Sequence, residues 1–206
     1  MSLFGRTPPQ KPPSTTVEDL VAQGTVFARQ GDLSGAIRCY DGALRLQPAS
    51  SGLWLRRGNA CRDLGDVLGA LACYDEAIRL RPDISAPWTL KGNVLRDQGN
   101  HRDAVECYDA ALEAYPDNLL AGQHRAEAIR ALRRSMTIKD WIDWGLSYFD
   151  DGNYVRANEC YDIALELDPA DPAAWKSKAS VLDRQGKRSE AMECETRAVE
   201  LDRGRV

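Results

Sequence analysis

Apolar side chains recur along this chain at spacings of three and four, in short runs separated by single glycines. That spacing gathers them on one face of an α-helix. In residues 85–118, Trp88, Gly92 and Leu95 form one such face, Gly99 interrupts it, and Ala104, Tyr108 and Ala111 form a second that ends at Pro116. The segment therefore reads as two helices joined by a tight turn and closed by a proline.

The same unit returns every 34 residues. Gly24, Gly58 and Gly92 keep that step, as do Gly31, Gly65 and Gly99, then Ala36, Ala70 and Ala104, Tyr40, Tyr74 and Tyr108, and Pro48, Pro82 and Pro116. After a shift, Trp141, Gly145, Gly152, Ala157, Tyr161, Ala164 and Pro169 resume the pattern, followed by Trp175, Ala179, Gly186, Ala191 and Ala198. Five units result, 17–50, 51–84, 85–118, 138–171 and 172–205. Small residues at the eighth and twentieth places let the two helix axes approach, and Trp and Tyr fill the remaining space. Gly99 supplies the positive φ of the turn.

Two segments depart from the period. Gly92 and Gly145 are 53 residues apart, so 19 residues, 119–137, are inserted after the third unit. Leu119, Ala126, Ile129, Leu132 and Met136 give the insert one apolar stripe without a second helix, which suits a single helix capping the exposed end of unit three. In the last unit Glu195 replaces the tyrosine and Arg203 the proline, polar changes that suit a terminal repeat. The expected state is a monomer or a weak end-to-end dimer. The first 16 residues, with Pro8, Pro9, Pro12 and Pro13, read as a flexible tail.

The set of Trp, Gly, Tyr, Gly, Ala, Tyr, Ala and Pro at fixed places in 34 residues resembles the tetratricopeptide repeat (TPR) family. The strings Arg57–Asn59 and Lys91–Asn93 are most similar to prokaryotic and archaeal members. The resemblance implies an all-α solenoid, a right-handed superhelix of stacked two-helix repeats. Its order is three repeats (17–118), an inserted helix (119–137) and two repeats (138–205).

Composition fits a globular chain, with 43% hydrophobic and 28% charged residues. The formal charge of -4 gives no global attraction to nucleic acid or membrane, no apolar run is long enough to span a bilayer, and a cytoplasmic location is expected. Cys39, Cys73, Cys107, Cys160 and Cys194 share the twenty-third place, and Cys61 stands apart. Packed helices stand about 10 Å apart, whereas a disulfide needs Cα atoms within about 7 Å. The thiols therefore read as packing residues, and no metal or cofactor is expected. His101 and His124 have no nucleophile or carboxylate at catalytic spacing, and no phosphate loop is present, so the chain reads as non-enzymatic.

The resemblance also implies where partners bind. In this family the first helix of each repeat lines a concave surface through places 2, 5, 9, 12 and 13. Here that stripe includes Leu55, Asn59 and Arg62, then Thr89, Asn93 and Arg96, and in the second half Ile142, Leu146 and Phe149. Asn59 and Asn93 would bond a peptide backbone and Arg62 and Arg96 its carboxylates, or these arginines would pair with Asp63 and Asp97. The apolar second stripe suits an amphipathic helix. The five-residue clamp by which some members hold a chaperone C-terminus is absent, because its places hold Val21, Thr25, Arg56, Ala86 and Leu90. The expected function is a protein-protein interaction scaffold binding a peptide or helix of another protein. The alternative is binding of nucleic acid or an acidic partner through Arg125, Arg130, Arg133 and Arg134, against which stands the absence of interleaved aromatic residues.

Overall fold

The first two helices show how each repeat is made. Thr16 caps α1 (Val17–Arg29) by accepting from the Asp19 amide, while the Asp19 carboxylate accepts from the Thr16 amide. Gly31 then turns the chain at φ 83°, and Asp32 caps α2 (Leu33–Leu46) through the Gly35 amide. The same device joins α3 (Ser51–Leu64) to α4 (Val67–Leu80) and α5 (Ser85–Asp97) to α6 (His101–Ala114). A single helix α7 (Leu119–Ser135) follows, then the pairs α8 (Ile138–Asp150) with α9 (Tyr154–Leu167) and α10 (Pro172–Arg184) with α11 (Arg188–Arg203). The computed structural model describes residues 16–204, and every regular element among them is a helix. The Pro-rich tail expected at 1–16 lies outside the described residues except for Thr16. No helix among them is long and apolar enough to cross a membrane.

Paired helices touch where glycine meets tyrosine. A Cβ on Gly58 would stand 2.7 Å from Tyr74 Cε1, and one on Gly92 equally close to Tyr108, so the place accepts no side chain without displacing a buried ring. Tyr74, Tyr108 and Tyr161 are fully buried, as are Ala36, Ala70, Ala104 and Ala157 across from them.

Successive pairs are joined by an ion pair that the hydrophobic pattern does not reveal. Asp41 binds Arg57 at 2.7 Å, Asp75 binds Lys91 at 2.6 Å, Asp109 binds Arg125, and Asp162 binds Lys178 at 2.6 Å. Each links a second helix to the first helix after it, always 16 residues later. Arg125 thus docks α7 on α6 as though α7 opened another repeat. Its eighth place holds Ala126 rather than glycine, however, and that side chain is exposed, the buried residues of α7 being Ala121, Ala128 and Leu132. No second helix follows.

The chain divides into two compact units at Ile129/Arg130, inside α7. Unit 1 holds the first three helix pairs and the start of α7. Unit 2 holds the end of α7 and the last two pairs.

Candidate partner-binding surface

In unit 1 the candidate residues come from α3 and α5. Tyr74 donates its hydroxyl hydrogen to Asn59 Oδ1 at 2.9 Å, and Tyr108 donates to Asn93 Oδ1 at the same distance. Each asparagine oxygen is therefore spent on the core. Neither Nδ2 group has a hydrogen bond among the described residues, so two amide donors remain on the first-helix face. His124 of α7 lies 2.7 Å from Asn93 Oδ1 through Nδ1. That oxygen only accepts, so Nδ1 carries the proton. Burial, with the nearby Arg96 cation, holds the His124 pKa below its ordinary value, which keeps the ring neutral.

The other unit 1 candidates are more constrained than their spacing suggests. Thr89 drops out: it is buried, its hydroxyl donates to the Ser85 carbonyl at 3.0 Å and accepts from Asn118 Nδ2 at 3.0 Å. Leu55 is half-buried against the Cys61, Ala70, Tyr74 and Val94 cluster. Arg62 binds Asp63 through Nε and Nη2 at 3.0 and 2.8 Å. Arg96 binds Asp97 at 3.0 Å and Glu127 at 3.3 Å. The two arginines thus already hold carboxylates of this chain, the outcome the sequence left open. Glu127 joins Arg96 only because α7 folds back beside α5, which no local spacing announces.

In unit 2 the three candidates lie along α8. Ile142 and Phe149 are half-buried, packed against Ala157, Tyr161 and Val181. Phe149 meets Tyr154 with ring centroids 5.5 Å apart, and the Arg184 guanidinium sits 5.7 Å from the Phe149 ring centre. Leu146 is 42% exposed. It occupies the place that Asn59 and Asn93 hold in unit 1, and the Tyr161 hydroxyl is buried with no hydrogen bond of good geometry among the described residues. Burial pushes the Tyr161 pKa up to about 12, with the Ser177 hydroxyl acting in the opposite direction.

The four arginines proposed as an anion site do not act together. Arg125 is buried to 13% exposure against Asp109, itself at 9%, and serves the repeat joint. Arg133 pairs with Glu166. Arg130 and Arg134 remain exposed. The six cysteines are free and buried. Cys61, which the spacing sets apart, in fact shares a neighbour with Cys73. One Arg57 Nη lies 2.9 Å from Cys73 Sγ and 3.8 Å from Cys61 Sγ. Burial pushes the Cys61 and Cys107 thiols up to about 11, which keeps them protonated at neutral pH.

Two Tetratricopeptide repeat profiles match the chain, one over residues 21–83 and 142–205 and the other over 85–118. The chain belongs to the tetratricopeptide repeat family. No curated protein matches it. Among solved structures it is similar to the Sgt2 TPR domain from Aspergillus fumigatus, at 21% identity and a TM-score of 0.55, covering 61% of this chain and 87% of that one. It is also similar to the first TPR of Spaghetti (RPAP3) bound to the HSP90 peptide SRMEEVD, at 23% identity and a TM-score of 0.54, covering 58% of this chain and 94% of that one. A crystal structure of MamA protein aligns at 20% identity and a TM-score of 0.48, covering 92% and 93%. The Sgt2 and RPAP3 likenesses speak to the TPR fold alone.

TPR packing also accounts for an orphaned group. Trp54, Trp88 and Trp175 donate Nε1 to the carbonyls of Pro48, Pro82 and Pro169 at 2.9, 3.0 and 2.9 Å. Trp141 is preceded by α7 rather than by a proline turn, and its buried Nε1 has no hydrogen-bond partner among the described residues.

Proposed function

We propose that this protein is a non-catalytic adaptor of the cytoplasm that binds a peptide or helix of another protein on the first-helix faces of its repeats. The observation that carries the reading is the pair of unspent Nδ2 donors on Asn59 and Asn93, each fixed in orientation by a tyrosine hydroxyl. Donors held in place at equivalent places of successive repeats suit the evenly spaced carbonyls of an extended backbone. The RPAP3 repeat is bound to an HSP90 peptide. This chain has Val21, Thr25, Arg56, Ala86 and Leu90 at the clamp places, which supports a different ligand. The paired state of Arg125 and Arg133 weighs against nucleic acid.

The test is an array of overlapping twelve-residue peptides probed with the full chain and with the Asn59→Asp, Asn93→Asp variant. The carboxylate still accepts from Tyr74 and Tyr108 but lacks the amide donors. Loss of the bound set with thermal stability kept is expected. An unchanged set would remove the assignment, and binding that collapses between low and moderate salt would return nucleic acid to consideration.

A further inference from the structure

Two side chains of unit 2 leave surface unused by the packing of the repeats, Leu146 on α8 and Arg184 on α10, which reaches Phe149 one turn beyond Leu146. Leu146 stands where the second and third repeats place an asparagine, and the substitution removes the acceptor that those repeats give their tyrosine. Tyr161 keeps its ring buried on Gly145 but leaves its hydroxyl without that bond. A polar residue would therefore pack better here than leucine does, and what leucine supplies instead is apolar surface on the first-helix face.

Arg184 is the second observation. It makes no ion pair among the described residues, although Asp183 is its neighbour, and its guanidinium is held over the Phe149 ring. Arg62 and Arg96 in unit 1 are each neutralised by an adjacent aspartate. Arg184 thus presents a steered, unneutralised charge on a wall made rigid by Ile142, Phe149 and Tyr154.

Resting on the reading that these faces take peptides, we propose that unit 2 holds a linear segment of another protein in which an apolar side chain precedes a carboxylate. The apolar group lies on Leu146, and the carboxylate meets Arg184. The charge selects this occupant over the chain's own N-terminal stretch, whose first 16 residues contain Leu3 and Phe4 but no acidic residue.

The full chain, labelled with nitrogen-15, is titrated with the capped peptide Gly-Leu-Leu-Glu-Gly, with its Gln counterpart in place of Glu, and with Gly-Ser-Ser-Glu-Gly. Amide shifts at Leu146 and at the Arg184 side chain are expected, with the Glu peptide about fivefold tighter than either control. Arg184→Gln should erase the difference between Glu and Gln peptides and leave the Gln affinity alone. Leu146→Asn should weaken the Glu peptide about tenfold while raising Tm by a few degrees, since it returns an acceptor to Tyr161. A purely structural leucine would give the opposite pairing, lower Tm and unchanged binding. Equal affinity for Glu and Gln peptides, or unchanged binding by Leu146→Asn, overturns the proposal. Shifts confined to Asn59 and Asn93 overturn it while sparing the wider peptide-binding reading. Absence of shifts in both units overturns both, and concentration-dependent shifts without peptide would point to a second copy instead.

Discussion

At the scale of single residues, the same amino acid does opposite work according to what faces it. Gly92 is required because a Cβ would stand 2.7 Å from Tyr108 Cε1, and the ring is too buried to retreat. Gly92→Ala should destabilise by about 1–3 kcal/mol, the usual effect of overpacking a core. Gly122, inside α7, has nothing within 4 Å of its would-be Cβ. There Gly122→Ala should stabilise by about 0.5–1 kcal/mol, because only the backbone entropy of glycine is removed. Urea denaturation of the two variants checks both signs. The pattern of the sequence distinguishes the two glycines, since only Gly92 has counterparts at the 34-residue step.

Between elements, the acid-base pairs that join successive repeats differ in depth rather than in distance. Asp75 and Lys91 are 2.6 Å apart, yet Asp75 is 56% exposed, so solvent screens the pair and Asp75→Asn should cost less than about 1 kcal/mol. Asp109 and Arg125 are almost enclosed, and Asp109→Asn takes a carboxylate charge away from a buried guanidinium. A loss of about 3 kcal/mol is expected from chemical denaturation, with α7 amides losing hydrogen-exchange protection before those of α3 and α4. The spacing of 16 between aspartate and cation was available in the sequence and identifies Arg125 as a joint residue. Its abundance of arginine neighbours is what made it look like part of an anion site.

For the whole molecule, stacked repeats touch only their neighbours, so stability is close to a sum of local terms. Each compact unit is therefore expected to open without the other. Val181, fully buried in unit 2, gives a direct check. Val181→Ala should cost about 2 kcal/mol within that unit. Hydrogen exchange should quicken in α8 to α11 and stay unchanged in α1 to α6. Uniform quickening across the chain would mean a single cooperative block.

What the sequence determined by itself was the periodic part: helices, turns, the glycine-tyrosine contacts and the family. These depend on residues repeated at fixed separations, which linear reading detects. Candidate positions on the first helices were legible for the same reason. Their chemical state was not. The Tyr74 and Tyr108 bonds to asparagine arise where the paired helices of a repeat meet, and the Asn118 bond to Thr89 and the pairing of Arg96 with Glu127 where later segments fold back on α5. Whether a polar atom is spent or free is decided by the neighbours that packing brings to it, and only the tertiary structure supplies them.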